Sequence, residues 1–169
     1  QEELGLPETC LSIEIKHGCS GWVVGLNSAA SLIMGGCLKR ALLLCGDTST
    51  LLHSPFDKET RPLFGDAGSC TALEFDTIAS TLEFEHGTRG KDFKSIYTPV
   101  GGCRNAVTAK DLEFIEYGPN QLRRNIDCTM DGMNVFAFGM SVAPKSVKRL
   151  AEKYVLNLEQ MDYLFLHQA

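Results

Sequence analysis

Residues 11–17 alternate apolar and polar side chains, with Leu11, Ile13 and Ile15 set against Ser12, Glu14 and Lys16, the period-two pattern of a strand with one buried face. Ahead of it, Gln1 to Leu4 read as the end of a helix stopped by Gly5. A glycine-bounded turn, Gly18-Cys19-Ser20-Gly21, leads into Trp22 to Met34, which is apolar or small on every side and ends at Gly35-Gly36; this predicts a helix buried all round. Arg40 to Asp47, centred on Ala-Leu-Leu-Leu-Cys, is a short continuous apolar run and predicts a strand covered on both faces. Strand, helix and strand in that order predict a right-handed βαβ unit. After a polar stretch over 49–61, the glycine-rich turn Phe64 to Ser69 feeds a strand over 70–75, and a second alternating run predicts a strand over 81–86. Helical spacing returns from Gly132 to Tyr154 (Val135, Phe138, Val142, Val147, Leu150), with Pro144 requiring a kink or a new helix start. The run 162–167 predicts a last strand that delivers His167. Residues 87–128 are rich in Gly, Asn, Arg and Lys with only short strand-like pieces, and read as an insertion or lid-like excursion between 1–86 and 129–169. No short repeat and no low-complexity tract interrupts the chain, which sets solenoids and propellers aside.

The composition of the 169 residues, 44% hydrophobic and 22% charged, suits one compact soluble domain and excludes a disordered or collagenous chain. The seven cysteines form no C-x-x-C pair, which argues against a zinc ribbon and a disulfide framework and for a reducing, cytoplasmic setting. A net charge of -5 with intermixed signs offers no basic face, so nucleic acid and anionic membrane are not expected partners. No targeting signal is visible at Gln1, and no apolar run reaches the roughly 18 residues of a membrane span. An opening on a helix end and a close on an apolar strand lead to the expectation that these residues are a segment of a longer polypeptide.

The chemistry gathers at two places. Cys19 lies in a strand-to-helix turn, where the free N–H groups of the following helix stabilise a thiolate; the competing reading is a small buried apolar residue. Cys37, Cys45 and Cys70 occupy apolar helix or strand positions and read as core. His167 ends a strand, at the sheet rim where α/β proteins usually keep their sites, though alone a histidine there is as readily structural. Gly65-Asp66-Ala67-Gly68 has no Lys at P-loop spacing and reads as a structural turn.

Taken in order, Gly18-Cys19-Ser20-Gly21-Trp22, Leu63-Phe64-Gly65-Asp66-Ala67-Gly68, Gly132 with Val135-Phe136, and Leu166-His167-Gln168-Ala169 resemble the β-ketoacyl-acyl carrier protein synthase III family. The resemblance spans nearly the whole chain and is weakest over 87–128. It implies the layered αβαβα fold of the thiolase-like condensing enzymes, of which these residues are a central part. It also implies that Cys19 matches the acyl-accepting cysteine of the family's A-C-x-G-F motif, with Trp22 in place of Phe. His167 matches the histidine of H-Q-A-N, Phe136 falls on a substrate-binding position, and Gln168 and Ala169 match the start of the segment that contacts acyl carrier protein. Where the family has D-R-x-T, whose Arg meets the coenzyme A adenine, this chain reads Asp57-Lys58-Glu59-Thr60, keeping a cation at Lys58 without the planar surface.

The resemblance further implies no bound cofactor, acyl-coenzyme A and malonyl-acyl carrier protein as substrates, and a homodimer formed through the strand at 12–16. The family's catalytic Asn lies beyond the H-Q-A-N motif, past Ala169, so these residues alone are expected to be inactive. Three rivals differ in class. A papain-like hydrolase would need Trp directly after the Cys. A thiolase-fold acyltransferase making esters or amides, in secondary metabolism or polysaccharide modification, shares Cys19 and His167. A non-enzymatic dimer partner would have no need of either residue.

Overall fold

In the computed structural model, which describes residues 1–168, chain contacts divide the protein into two units. One holds Gln1–Cys45 with Cys70–Leu82, and the other holds Gly46–Ser69 with the residues from Glu83 onward. Ala169 lies outside the described residues. The long elements are helix α1 (Gly21–Met34), strands β1 (Arg40–Thr48) and β2 (Asp66–Glu74), and helix α2 (Gly132–Tyr154). Between β2 and α2 come the short strands β3 (Ile96–Tyr97), β4 (Ile115–Gly118), β5 (Gln121–Arg123) and β6 (Thr129–Met130).

In the first unit, Gly5 adopts φ 61 and closes a 3-10 turn over Glu2–Leu4, as its stop signal predicts. Helix α1 starts and stops where its turn and its Gly35-Gly36 pair place it, with Gly36 at φ 75. It packs on one side of β1. A Cβ at buried Gly25 would stand only 2.6 Å from Cδ1 of Leu43, so helix and strand approach as closely as a side chain there permits. Ala41, Leu43 and Cys45 are half-buried beneath it while Leu42 and Leu44 are exposed on the other face. Both sequence expectations of complete burial are therefore corrected. β1 is covered on one face, and α1 buries only Gly25 and Ile33, leaving Trp22, Val23 and Met34 exposed.

The expected βαβ unit is also corrected. Residues 11–17 form no strand and make no ladder with β1. Instead β1 pairs with β2. At one end the Phe75 N–H donates to Lys39 O, and at the other Gly46 abuts Ala67 and Gly68, an antiparallel order. β2 begins at Asp66, four residues ahead of the expected strand.

The second unit is organised by polar side chains. Strands β4 and β5 form an antiparallel hairpin with Ile115 opposite Arg123 and Glu116 opposite Leu122, and Asn120 takes the left-handed φ of 59 in its turn. β3 pairs antiparallel with β6. Directly after β6, the Asp131 carboxylate accepts from the Asn134 N–H at 3.0 Å and caps α2. Helix α2 runs unbroken through Pro144 for 23 residues, so neither a restart nor a second helix is formed there.

The two remaining strand expectations fail for one reason, the absence of a described ladder partner. Residues 81–86 are held by side chains of α2: Phe84 O accepts from Tyr154 Oη at 2.9 Å and from Lys153 Nζ at 3.0 Å, and Glu85 pairs with Arg149 at 2.8 Å. Residues 162–167 form no strand, and Tyr163 and Phe165 stack on each other at 6.0 Å. No helix among the described residues is long and apolar enough to cross a membrane.

Candidate active site

Cys19 occupies the tight turn that enters α1. The Gly21 N–H donates to Gly18 O at 2.7 Å to close the turn, and the Val24 N–H then donates to Ser20 O at 3.0 Å as the helix's opening bond. Ser20 stands at the N-cap without capping the helix with its side chain. Its Oγ lies 3.2 Å from His17 Nδ1 instead, which leaves the first-turn N–H groups beside Cys19 uncapped. The Cys19 side chain is exposed and its thiol is free. Three residues on, Trp22 is anchored by its Nε1–H, which donates to Thr71 Oγ1 at 3.0 Å and fixes the helix entry against β2. The pairing of His17 with Ser20 has no signal in the periodicity, because it joins residues on either side of a turn.

His167 and Gln168 lie in the other unit, in extended chain outside any helix or strand, and both are exposed. Phe136 projects from the start of α2, also exposed. Among the described residues no hydrogen bond, ion pair or ring contact joins Lys58, Phe136, His167 and Gln168 to one another. Cys19 and Trp22 belong to the first unit and these four to the second. Asp66, expected in a turn, instead opens β2, and its carboxylate accepts from the Thr50 N–H at 2.8 Å and from Thr50 Oγ1 at 2.7 Å, bonds that hold it below the usual carboxylate range.

The buried polar side chains of the second unit form a group whose burial the sequence pattern does not announce. His53, Ser54, Asp57, Thr60, Arg123 and Asp127 are all buried. Arg123, on β5, presents a fork to Asp57, with Nε 2.8 Å from Oδ2 and Nη2 2.9 Å from Oδ1. The same Nη2 reaches Glu59 Oε2 at 2.8 Å, and the Tyr117 ring lies over the guanidinium at 4.2 Å. Asp57 also accepts from Thr60 Oγ1 and from the Glu59 N–H, while Ser54 Oγ donates to Leu122 O. Burial pushes the Asp57 carboxyl up, but the bonds from Arg123, Thr60 and Glu59 outweigh it and hold the group below its ordinary range. Removing one partner of such a buried pair costs about 3–5 kcal/mol. Lys58, between the two clamped carboxylates, is exposed.

The sequence model of the family described as 3-oxoacyl-[acyl-carrier-protein (ACP)] synthase III matches residues 13–90, a stretch that includes Cys19, Trp22 and Lys58. A putative 3-oxoacyl-[acyl-carrier-protein] synthase 3 of Campylobacter jejuni is 30% identical over 168 residues, 98% of this chain and 46% of the relative. The chloroplastic β-ketoacyl-[acyl-carrier-protein] synthase III of Arabidopsis thaliana is 29% identical across 100% of this chain and 43% of its own length. A crystal structure of a 3-oxoacyl-(acyl-carrier-protein) synthase III superposes with a TM-score of 0.85 at 30% identity, covering 96% of this chain and 49% of that one.

Over most of its own length the chain is similar to members of the 3-oxoacyl-[acyl-carrier-protein] synthase III family. It carries part of that family's thiolase-like fold, and the likeness extends to the synthase from Burkholderia xenovorans, with a TM-score of 0.75, 32% identity and 96% of this chain covered. The chain spans about half the length of the curated relatives it matches. The fold expected from the ordered motifs is thus borne out by the synthase III structures.

Proposed function

We propose that this chain belongs to an acyltransferase of the 3-oxoacyl-acyl carrier protein synthase III type, acting in fatty acid or related biosynthesis. The observation that carries the reading is Cys19: a free, exposed thiol in a tight turn at the uncapped start of α1, inside the stretch matched by the synthase III family. Cys19 Sγ attacks the carbonyl carbon of an acyl-coenzyme A thioester. The carbon–sulfur bond to coenzyme A breaks, the thiol proton of Cys19 passes to the departing sulfur, and one thioester replaces another at little cost in free energy. The backbone N–H of Cys19 contributes to the oxyanion hole of this step.

A malonyl thioester of acyl carrier protein then loses carbon dioxide, and the electrons of the broken carbon–carbon bond form an enolate. His167, neutral, donates a hydrogen bond to that developing oxyanion together with the family's Asn, a contribution of a few kcal/mol per donor. The enolate carbon attacks the acyl-Cys19 carbonyl, the new carbon–carbon bond forms, and the Cys19 thiolate leaves. Trp22, Lys58, Phe136 and Gln168 bind substrate, Gln168 at the start of the segment that contacts the carrier protein. Coenzyme A and acyl carrier protein enter as substrates, with no resident cofactor. The enzyme is a cytoplasmic homodimer paired through residues 12–16, which form no ladder within the described chain.

The test is intact-mass spectrometry of the full-length protein after exposure to acetyl-coenzyme A. An acetyl adduct should appear and map to Cys19, and Cys19→Ala should abolish it; no adduct on Cys19 would sink the reading. Carbon dioxide release from malonyl-acyl carrier protein then separates condensation from transfer of the acyl group to an alcohol or amine, in which no carbon dioxide is formed.

A further inference from the structure

Lys58 stands between two carboxylates, and a lysine so placed is ordinarily neutralised by its neighbours. Here the neighbours are taken. Arg123 engages both oxygens of Asp57 and one oxygen of Glu59 from the β5 side, and Tyr117 covers the guanidinium. Thr60 and the Glu59 N–H occupy Asp57 further. Of the other charged groups nearby, Arg124 pairs with Asp127 at 2.7 Å, while Arg61 points to the Thr50 carbonyl oxygen, to which it donates at 3.0 Å. Asp57, Lys58, Glu59 and Arg123 together are neutral, and their exposed cation is the Lys58 ammonium. Without the guanidinium fork the same loop would carry two carboxylates against one ammonium and repel an anion.

We propose that Arg123 is a positioning residue which, by sequestering Asp57 and Glu59, keeps the Lys58 ammonium uncommitted for a phosphate group of the incoming thioester. The proposal rests on the acyl thioester reading above and specifies the part of the substrate that this loop reads: phosphate charge in place of a flat base. A lysine suits that role, since it binds phosphate as a point charge and offers no plane to stack on. A lysine at 123 would keep the positive charge but lose the planar fork that reaches two carboxylates at once.

Binding of coenzyme A and of pantetheine, which shares the thiol arm but carries no phosphate, is measured by calorimetry on the full-length protein. The wild type should bind coenzyme A more tightly, and added salt should shrink the difference. Lys58→Ala should abolish the preference. Arg123→Lys should weaken coenzyme A binding about tenfold with pantetheine unchanged, the scale of one charge-assisted hydrogen bond. Glu59→Gln in the Arg123→Lys background should restore most of that loss, because the carboxylate freed to neutralise Lys58 is gone. A merely structural arginine would weaken both ligands together and would not be rescued.

Glu59→Gln alone, a change at a side chain that is about half exposed, keeps the Asp57 pair and should tighten coenzyme A selectively, so the proposal is tested even where Arg123→Lys does not fold. No change in the coenzyme A to pantetheine ratio in these variants overturns it. An unchanged ratio alongside a Cys19 adduct removes this inference and leaves the proposed function standing. A shifted ratio without any adduct does the reverse.

Discussion

His53 is buried in the second unit with its ring stacked on Phe64 at 4.2 Å, and its Nδ1 has no hydrogen-bond partner. Burial lowers its pKa below the usual histidine value. Asp57 and Asp127 pull the other way, and Arg61 and Arg123 add to the lowering. Since the folded value is depressed, the unfolded chain binds the proton more readily, so His53 contributes stability above its unfolded pKa of about 6.5 that is lost as the pH falls below it. Asp57 titrates far lower, because its own carboxyl is held beneath its ordinary range. The melting temperature should therefore drop between pH 7.5 and pH 5.5, and His53→Phe, which keeps the stack and removes the titration, should flatten that drop. An identical slope in the variant would show that His53 is not its source. Residues of this kind escape a hydropathy reading. Asp57 and Arg123 are 66 positions apart and charged, so nothing local marks them as interior.

At the scale of elements, α1 approaches β1 closely at Gly25. An alanine there gains about 1 kcal/mol of helix propensity, but its Cβ would overlap Leu43 Cδ1 at 2.6 Å, and overpacking costs about 1–3 kcal/mol. Gly25→Ala should thus be neutral to destabilising by about 2 kcal/mol in chemical denaturation, and in a Leu43→Ala background the same change should become stabilising. Equal effects in both backgrounds would mean that Leu43 is not what requires the glycine.

The helices were legible because their signals are local. Gly35-Gly36 ends α1, the helical spacing from Gly132 to Tyr154 marks α2, and Gly18 to Gly21 mark the turn that holds Cys19. Strands are not local objects. Residues 11–17, 81–86 and 162–167 have suitable side chains, yet a strand exists only where a neighbour supplies its hydrogen bonds, and Phe84 O spends its acceptor on α2 side chains instead. The same contrast separates the two halves of the candidate site. The Cys19 turn can be read from five consecutive residues, whereas the bond from Trp22 to Thr71 spans 49 positions and has no sequence signature.

For the molecule as a whole, the deciding quantity is exposed apolar surface. Among the described hydrophobic residues only Ile33 is buried, while Leu42 and Leu44 on β1, Phe136 and Met140 on α2, and Phe165 near His167 stand open. At roughly 25 cal/mol per Å², such surface favours association strongly over a monomer in water. Residues 1–169 produced alone should therefore bind a hydrophobic dye, elute as oligomers and unfold without a sharp thermal transition. The full-length protein should show weak dye binding and one cooperative melt. If the 169-residue segment ran as a monomer with a sharp melt and no dye signal, the apolar faces seen here would have to close on each other, and the exposed setting assigned to Phe136 and His167 would be wrong with them.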